Sequence, residues 1–396
     1  MDIPDRATAT ERALALRAAL SPGTERVGTD ALAGRTLAEP IDAPEARPPT
    51  DRATMDGFAV PADAEAPLDV VASVGPEDDP APVEPGQAVR IATGAPLPEG
   101  TDAVIKREDA DADGDRLLGP PAGAGQHVYR RGTNVASGER LFDAGERLAP
   151  RDAPLLADLG VEHVTVHERL SVATLATGTE INEGRQPDRD TAMALGLARA
   201  WGHDATDGGT VPDDYDRVRE RVAALAAQYD VLLTSGGTSV GRGDHVTRAL
   251  ADLGEVVCPG MAVRPGRPAT LARLPDCAVL ALPGKPVAAH TAAVLLGRPL
   301  LTGETAHPTV PAAMAVDLAL PERPGMEYAV PVALSEGRAT PMGHRDSPLS
   351  LYGERFRPGR LASATRATRA DGLVLASEAL AAGDDVSVVP YEVVER

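Results

Sequence analysis

The feature that most constrains the fold is a strand–loop–helix rhythm between about residues 170 and 299. Apolar runs predict buried strands over 171–177, 230–234 and 277–282, and a glycine-containing loop follows each run. Apolar residues at helical spacing predict helices over 190–201, 212–228, 244–253 and 286–296. Alternating strands and helices need crossover connections, so this segment is expected to form a parallel, doubly wound sheet.

The flanking segments have a different character. Thr8 and Glu11 have capping-box spacing, which predicts a helix over 8–20. Proline and glycine recur from about residue 47 to residue 145. Short apolar runs between them predict a β-rich domain with strands at 57–60, 68–71, 89–91 and 103–105. A helical pattern covers 149–159, and the chain beyond residue 308 returns to short strands and turns, which predict a second small β domain.

Composition limits the classes of function. The 396 residues suggest several domains, and a formal net charge of −20 argues against sequence-independent nucleic-acid binding. Neither an apolar stretch of 18 residues nor a secretory signal is found, so we expect a cytoplasmic protein without a membrane span. Two cysteines cannot build a disulfide framework or a cysteine-rich zinc site.

The acidity is spread along the chain, and only two lysines occur, Lys106 and Lys285. This composition is typical of proteins from salt-loving organisms, in which surface charge maintains solubility. An acidic surface for one cationic partner is the alternative interpretation.

The loop after the second predicted strand is the most informative stretch. It reads Ser-Gly-Gly-Thr-Ser-Val-Gly-Arg-Gly-Asp-His from Ser235 to His245 and opens a helix. Glycines allow a ligand to approach the backbone, and a helix N-terminus offers unpaired N–H groups to an anion. The loop matches neither the P-loop nor the dinucleotide fingerprint, so it predicts ligand binding without naming the ligand. A tight turn with Asp244 as an ordinary N-cap is the alternative.

Two further loops belong to the same predicted sheet edge. Leu282-Pro-Gly-Lys-Pro286 joins a strand to a helix, and its Lys285 suits an anion contact. Glu180 follows the first strand and Asp213 opens a helix, and carboxylates of this kind suit Mg²⁺. A solvated loop acid and helix-dipole stabilisation are the alternatives for these two acids. Open α/β sheets bind ligands at the carboxyl ends of their strands, so we expect these groups to converge with Asp244.

Other candidate groups lie outside this edge. Asp56 precedes Gly57, and Thr93 begins Thr-Gly-Ala-Pro; by composition alone both stretches are turns. Arg264 and Arg267 lie three residues apart on an Arg-Pro-Gly-Arg turn, which suits a clamp for an oxyanion. The eight histidines lack the spacing of a catalytic zinc site.

In their order along the chain, these motifs resemble those of the molybdopterin molybdenumtransferase family, also called the MoeA or gephyrin E-domain family. The resemblance covers nearly the whole chain, and the motifs are specific only in combination. They are Ala53-Thr-Met-Asp-Gly-Phe-Ala59, Thr93-Gly-Ala-Pro-Leu-Pro-Glu-Gly100, Thr177-Gly-Thr-Glu-Ile181, Pro212-Asp-Asp214, the stretch 235–244, Arg264-Pro-Gly-Arg-Pro268 and Leu282-Pro-Gly-Lys-Pro-Val287. Together with the acidic composition, they resemble a haloarchaeal-type member.

The resemblance implies a multidomain α/β chain in four parts. These are a discontinuous helical elongated domain (1–46 with 141–168), an inserted β-rich domain (47–140), a molybdopterin-binding α/β three-layer domain (169–305) and a C-terminal β-barrel-like domain (306–396). It also implies a homodimer with an active site shared between subunits, in which Asp56 and Thr93 act in trans. The resemblance also allows other cofactor-assembly proteins as partners.

The implied reaction is the insertion of molybdenum from molybdate into adenylylated molybdopterin, with release of AMP and help from Mg²⁺ or a related divalent cation. The resemblance implies catalytic roles for Asp56, Glu180 and Asp244. It implies metal ligation by Asp56, Asn134, Glu180, Asp213 and Asp244. It implies substrate binding by Thr93, Ser235, Gly236, Gly237, Ser239, Gly241, Arg264, Arg267, Pro283, Gly284, Lys285 and Pro286.

Several positions depart from the family pattern. Asn134 and Thr179 replace aspartates, two arginines replace the lysines of Lys-Pro-Gly-Lys, and Lys285 replaces an asparagine. The family's Asp-Ser-Asn is not recognisable, although Arg189-Asp190-Thr191 stands near its place. A non-catalytic pterin-binding or carrier paralogue and a tungsten-specific insertase therefore stay open. The inserted and C-terminal domains argue against a third alternative, a molybdopterin adenylyltransferase.

Overall fold

The computed structural model describes residues 3–20, 22–237 and 245–396. The chain divides into two compact units, which we call the inserted unit (Thr24–His167) and the main unit (Met1–Gly23 with Glu168–Arg396). Within the described ranges, no helix is long and apolar enough to cross a membrane. The four-part domain division is finer than these two units and stays a prediction.

The main unit begins with helix α1 (Arg6–Ala19). The carboxylate of Asp5 caps it by accepting a hydrogen bond from the Thr8 backbone N–H at 2.8 Å. The start predicted at Thr8 is therefore wrong by two residues, because Asp5 supplies the cap that we assigned to Thr8. The side chains that α1 buries in the core of the main unit are those of Ala9, Ala13 and Leu16.

Short strands make up most of the inserted unit. In chain order its elements are β1 (Thr24–Gly28), β2 (Ile41–Asp42), β3 (Arg52–Ala53), β4 (Gly57–Val60), β5 (Leu68–Val74), β6 (Gln87–Ile91), β7 (Ala103–Lys106), β8 (Asp111–Asp113), β9 (Arg116–Leu118), β10 (Val128–Tyr129), β11 (Arg140–Phe142), α2 (Ala153–Asp158) and β12 (His163–His167). Six strands form a sheet in the order β7-β4-β6-β5-β9-β8, and the other strands pair as β1–β12, β3–β10 and β2–β11.

The strands predicted in this unit are confirmed. The runs at 57–60, 68–71, 89–91 and 103–105 lie within β4, β5, β6 and β7. Alternate residues of β4 and β7 enter two different apolar clusters, so both faces of the sheet are covered. The helix predicted over 149–159 is a 3₁₀ turn followed by the short helix α2.

The α/β part of the main unit follows the predicted rhythm. Its elements are β13 (Ser171–Thr177), α3 (Thr179–Asn182), α4 (Thr191–Ala200), β14 (Asp204–Val211), α5 (Tyr215–Ala226), β15 (Val231–Ser235), α6 (His245–Leu253), β16 (Glu255–Cys258), β17 (Val263–Arg264), β18 (Thr270–Arg273), β19 (Ala278–Leu282), α7 (Pro286–Ala292) and α8 (Arg298–Thr302), with a π turn between α7 and α8. The six-stranded sheet has the order β14-β13-β15-β19-β18-β16.

The prediction of a parallel sheet is wrong at one edge. Strands β14, β13, β15 and β19 are parallel, whereas β18 and β16 are antiparallel to their neighbours. Only residues 274–277 connect β18 to β19, and a connection this short makes a hairpin because a parallel pair needs a crossover of a dozen residues or more.

The predicted C-terminal β domain is confirmed as a closed barrel. Its elements are β20 (Val310–Met314), β21 (Glu327–Ser335), β22 (Arg338–Pro341), α9 (Pro358–Leu361), β23 (Gly372–Ala376), β24 (Asp385–Pro390) and α10 (Tyr391–Val394). The pairings run β21-β22-β20-β24-β23 and return from β23 to β21, which closes the ring. Strand β17 pairs in parallel with the first residues of β21, so Arg264 lies opposite Tyr328 of the barrel.

Candidate active site

A cavity of about 670 Å³ lies at the carboxyl ends of the parallel strands β13, β15 and β19. The loops after these strands, the segment before α4 and the turn after β17 supply much of its wall. Ten residues that the sequence analysis singled out line it: Glu180, Asp213, Ser235, Gly236, Gly237, Arg264, Arg267, Pro283, Gly284 and Lys285. Pro286 is buried as the first residue of α7. The fold therefore assembles acidic loops, glycine loops and cationic side chains around one cavity.

Two glycine loops pack against each other at the floor of this cavity. Gly236 has a φ of +84°, and a Cβ at that position would lie 2.6 Å from the Thr177 carbonyl oxygen. A Cβ on Gly284 would lie 3.0 Å from the Gly236 Cα. The first approach is closer than real Cβ contacts come, so glycine is needed at position 236, where the loop after β15 meets β13; the second approach is tight and favours glycine where the loop after β19 meets Gly236.

A buried carboxyl is the feature of the cavity that the sequence analysis missed. Asp190 is 5% exposed, and its Oδ2 accepts a hydrogen bond from Ser235 Oγ at 2.6 Å, while its Oδ1 is buried without a partner. Burial is the main reason that the pKa of Asp190 is raised. Its position before α4 suggested a helix start, but Asp188 instead accepts the Thr191 N–H at 3.1 Å. Proximity to the unrecognised Asp-Ser-Asn position was the only sequence signal.

The acidic loops of the cavity are joined by Thr179, a residue at which the chain departs from the family pattern. Its hydroxyl accepts the Asp213 backbone N–H at 3.0 Å, and its own N–H donates to Asp213 Oδ2 at 3.3 Å. The short helix α3 that follows β13 and carries Glu180 is therefore tied to the start of the segment that leads into α5. The threonine positions an acidic group although it supplies no charge.

Cationic side chains also line the cavity. Arg264 Nε is buried without a partner, and burial, followed by the charges of Arg323 and Arg267, lowers the pKa of Arg264. Lys285 is exposed at the N-cap of α7 and also lines the cavity. An anion in the cavity would pair with these positive charges, because guanidinium forks bind oxyanions through charge-assisted hydrogen bonds.

The candidate residues of the inserted unit form local contacts there. Asp56 Oδ1 accepts hydrogen bonds from the Thr93 N–H and hydroxyl, both at 2.7 Å. These bonds, and then the charge of Arg107, hold the pKa of Asp56 below its usual value. Asn134 Nδ2 donates to Asp158 Oδ2 at 3.3 Å. Asp56 and Thr93 thus form one exposed polar pair, while Asn134 is engaged with a different carboxylate.

Comparison with known proteins identifies the chain's relatives. Residues 7–160 match the MoeA N-terminal region (domains I and II), and residues 173–303 match a probable molybdopterin binding domain. The molybdopterin molybdenumtransferase of Haemophilus influenzae is 33% identical over 291 residues, which cover 70% of this chain and 72% of that protein. The chain belongs to the molybdopterin molybdenumtransferase family. The molybdopterin molybdenumtransferase of Synechococcus elongatus is likewise 33% identical, over 74% of this chain and 78% of that protein.

The fold agrees with the family assignment along almost the entire chain. The crystal structure of the molybdopterin biosynthesis MoeA protein from Pyrococcus horikoshii superimposes with a TM-score of 0.77 and 28% sequence identity. The match covers 99% of both chains, including the barrel that lies beyond the two matched sequence regions. The multidomain α/β fold predicted from the motifs is therefore confirmed.

The cation site that the family resemblance implied stays a prediction. Among residues 3–20, 22–237 and 245–396, no cluster of three or more histidine, cysteine, aspartate or glutamate side chains is arranged to hold a metal ion. Ser239, Gly241 and Asp244 of the glycine loop lie outside the described residues. Glu180 and Asp213 both line the cavity, so two of the five predicted ligands are found at one site.

Proposed function

We propose that this protein inserts molybdenum from molybdate into adenylylated molybdopterin and releases AMP, as a transferase of molybdenum cofactor biosynthesis. The observation that carries the proposal is the single cavity at the strand ends, which is lined by both carboxylates and cationic side chains. Carboxylates can hold a cation against the phosphoanhydride of one substrate, and cationic side chains can bind a second substrate that is an oxyanion. Membership of the family supports the assignment.

The two glycine loops are assigned to the adenylylated pterin. Gly236, Gly237 and Gly284 leave backbone groups open to the cavity, and Ser235, Pro283 and Pro286 fix the course of the loops. Ser239 and Gly241 would extend the same loop. Phosphate oxygens accept hydrogen bonds from backbone N–H groups of this kind. The cationic side chains of the cavity would then receive the second substrate.

Molybdate is assigned to Arg264, Arg267 and Lys285. The support is that both arginines line the cavity, because guanidinium groups bind oxyanions through charge-assisted hydrogen bonds. Molybdate is a tetrahedral dianion, and two guanidinium groups on one turn offer it paired donors. Tungstate has the same charge and shape, so these contacts favour oxyanions as a class.

Mg²⁺ fits the acidic wall of the cavity. Protein sites commonly hold Mg²⁺ through one or two carboxylates together with substrate phosphates, and Glu180 and Asp213 provide two carboxylates at the cavity. Asp244 and, from the inserted unit, Asp56 and Asn134 would complete the predicted ligand set. When bound, the cation would neutralise charge on the phosphates. The protein side chains would orient the phosphoanhydride, and Glu180, Asp56 and Asp244 would position water for attack on it.

We extend the proposal to a cytoplasmic homodimer in which Asp56 and Thr93 serve the partner's cavity. These two residues are exposed on the inserted unit, and the side chain of the neighbouring Met55 is 43% exposed, which suits a surface that meets another subunit. Two buried free cysteines agree with a reducing compartment. The net charge of −20 supports a halophilic, haloarchaeal-type origin. The division into four domains is part of the same proposal. So are other cofactor-assembly proteins as partners.

The test is AMP release from adenylylated molybdopterin in the presence of molybdate and Mg²⁺. Glu180→Gln should reduce the rate by about 10²-fold or more, because it removes a charge at the reacting phosphates. Glu183→Gln is the matched control, since Glu183 lies three residues away, pairs with Arg185 at 2.6 Å and does not line the cavity. Release by wild type and control but not by Glu180→Gln supports the proposal.

Binding of the pterin without any AMP release, across salt and metal conditions, would instead identify a carrier. Asn134 favours that second candidate, because its amide is engaged with Asp158 and supplies no charge for a cation.

A further inference from the structure

A second cavity of about 550 Å³ adjoins the first and is not used by the proposed reaction. Half of its lining residues are arginines: Arg264, Arg323, Arg355, Arg357 and Arg360. The two cavities share Arg264, Pro358 and Gly359. We call the second one the arginine groove.

The positive charge of this groove has no counter-charge among the described residues. No acidic residue lines it, and none of the five arginines forms an ion pair with a carboxylate in the part of the chain described. The neighbouring Glu354 is engaged by Arg345, at 3.1 Å. Arg360 donates to the Leu351 carbonyl oxygen at 3.2 Å. A cluster of like charges is therefore left open, in a chain where acidic residues outnumber basic ones by 59 to 39.

The arginines are close enough to influence one another. Burial lowers the pKa of Arg264, and the positive charges of Arg323 and then Arg267 lower it further. Like charges that repel destabilise the free protein, and a bound anion reverses that cost. Arg323, Arg355, Arg357 and Arg360 are exposed, so a ligand reaches them from solvent.

The number of guanidinium groups and the lack of an exposed aromatic ring face indicate which ligand the groove binds. A single tetrahedral dianion is matched by one or two guanidinium forks, whereas five forks suit a chain of phosphates that carries three or four charges. The aromatic residues of the groove do not offer a free ring face, because Tyr328 and Phe356 are 1% and 0% exposed and pack edge to face at 6.0 Å. The groove therefore lacks a stacking platform for a base.

We propose that the arginine groove binds a di- or triphosphate chain, free or carried by a nucleotide, and that its occupant competes through Arg264 with the oxyanion of the neighbouring cavity. The first part needs only the groove. The second part rests on the proposed function, because it assigns the oxyanion to Arg264. Since the arginine cannot serve both ligands fully, binding in the groove weakens binding in the cavity, and the reverse holds to the same extent.

Calorimetry with the full-length protein tests the site, with sodium tripolyphosphate, ATP without Mg²⁺ and orthophosphate as probes. We expect tripolyphosphate to bind at least tenfold more tightly than orthophosphate, and ATP to bind within about threefold of tripolyphosphate. The double variant Arg355→Gln/Arg357→Gln should weaken tripolyphosphate binding at least tenfold. Arg345→Gln is the matched control, because Arg345 is a nearby exposed arginine outside the groove.

Each contrary result overturns a defined part of the proposal. Equal binding by wild type and the double variant would remove the groove as the site, and circular dichroism shows that both are folded. Orthophosphate binding as tight as tripolyphosphate binding would make it a site for single oxyanions. ATP binding more than tenfold tighter than tripolyphosphate would show that the base is recognised.

The coupling is measured separately, as the affinity for molybdate with and without tripolyphosphate. A molybdate affinity unchanged by saturating tripolyphosphate refutes the competition. AMP release in the absence of polyphosphate should be the same for wild type and the double variant. If the wild type binds tripolyphosphate but never releases AMP, the groove stands and the proposed reaction fails.

Discussion

Gly236→Ala is the variant that most directly tests the packing of the candidate site. Gly236 has a φ of +84°, and the new Cβ would lie 2.6 Å from the Thr177 carbonyl oxygen and 2.9 Å from its hydroxyl. A left-handed conformation costs a residue with a side chain about 1–2 kcal/mol. Overpacking against fixed atoms adds about 1–3 kcal/mol. We therefore expect the free energy of unfolding of the main unit to fall by about 2–5 kcal/mol.

Gly209→Ala separates the two costs. Gly209 has a φ of +82°, almost the same as Gly236, but nothing lies within 4 Å of its Cβ position. Its substitution should cost only the conformational term of about 1–2 kcal/mol. The difference between the two variants, about 1–3 kcal/mol, then measures the contact with Thr177.

Urea unfolding followed by tryptophan fluorescence is the assay. Trp201 is the only tryptophan of the chain, it is 2% exposed, and it belongs to the apolar core of the main unit, so its signal reports that unit. Equal losses of stability in the two variants would refute the reasoning, because the close approach of the loop to β13 would then carry no cost.

Three further outcomes are expected. Burial raises the pKa of Asp190 above its ordinary value of 3.8, so the stability of the wild type falls as pH rises from 3.8 through the pKa of the folded state. Above this window, Asp190→Asn should be more stable than wild type by about 1.4 kcal/mol for each unit by which the pKa is raised. A difference in stability that does not change with pH in urea titrations would contradict this. Arg267→Gln should raise the KM for molybdate about 10-fold to 100-fold in the AMP-release assay, whereas Arg273→Gln, on a side chain 49% exposed outside the cavity, should leave it unchanged. Burial raises the pKa of both Cys258 and Cys277, the latter to about 12, so neither thiol should be alkylated in the native protein at mildly alkaline pH; mass spectrometry that finds labelled native protein would refute this.

The buried strands of the main sheet could be predicted because strands that are covered on both faces consist mainly of apolar residues. Every residue of β19 is buried, as are the first four of β15, and short apolar runs bounded by turn residues are typical of strands in parallel sheets. Strand β14 could not be found in this way. It reads Asp-Ala-Thr-Asp-Gly-Gly-Thr-Val, lies at the edge of the sheet and is largely exposed, so its sequence resembles a loop.

The loops of the site were predictable for a related reason. Each follows a strand that sequence identifies, and parallel strands bring their carboxyl ends to one edge, which places Glu180, Ser235 and Lys285 at one cavity. Asp190 could not be assigned, because an acid before a helix is usually a cap. Its hydrogen bond to Ser235 joins residues 45 positions apart, and no local pattern encodes that contact.

The pairing of β17 with β21 makes the barrel one of the elements that position a cationic residue of the cavity. Arg264 is fixed from one side by the turn of its own motif and from the other by a strand that follows it by some sixty residues. The barrel lies beyond both sequence regions by which the family is recognised. Substitutions in the barrel can therefore change which anion the site accepts, although every motif that identifies the family is kept.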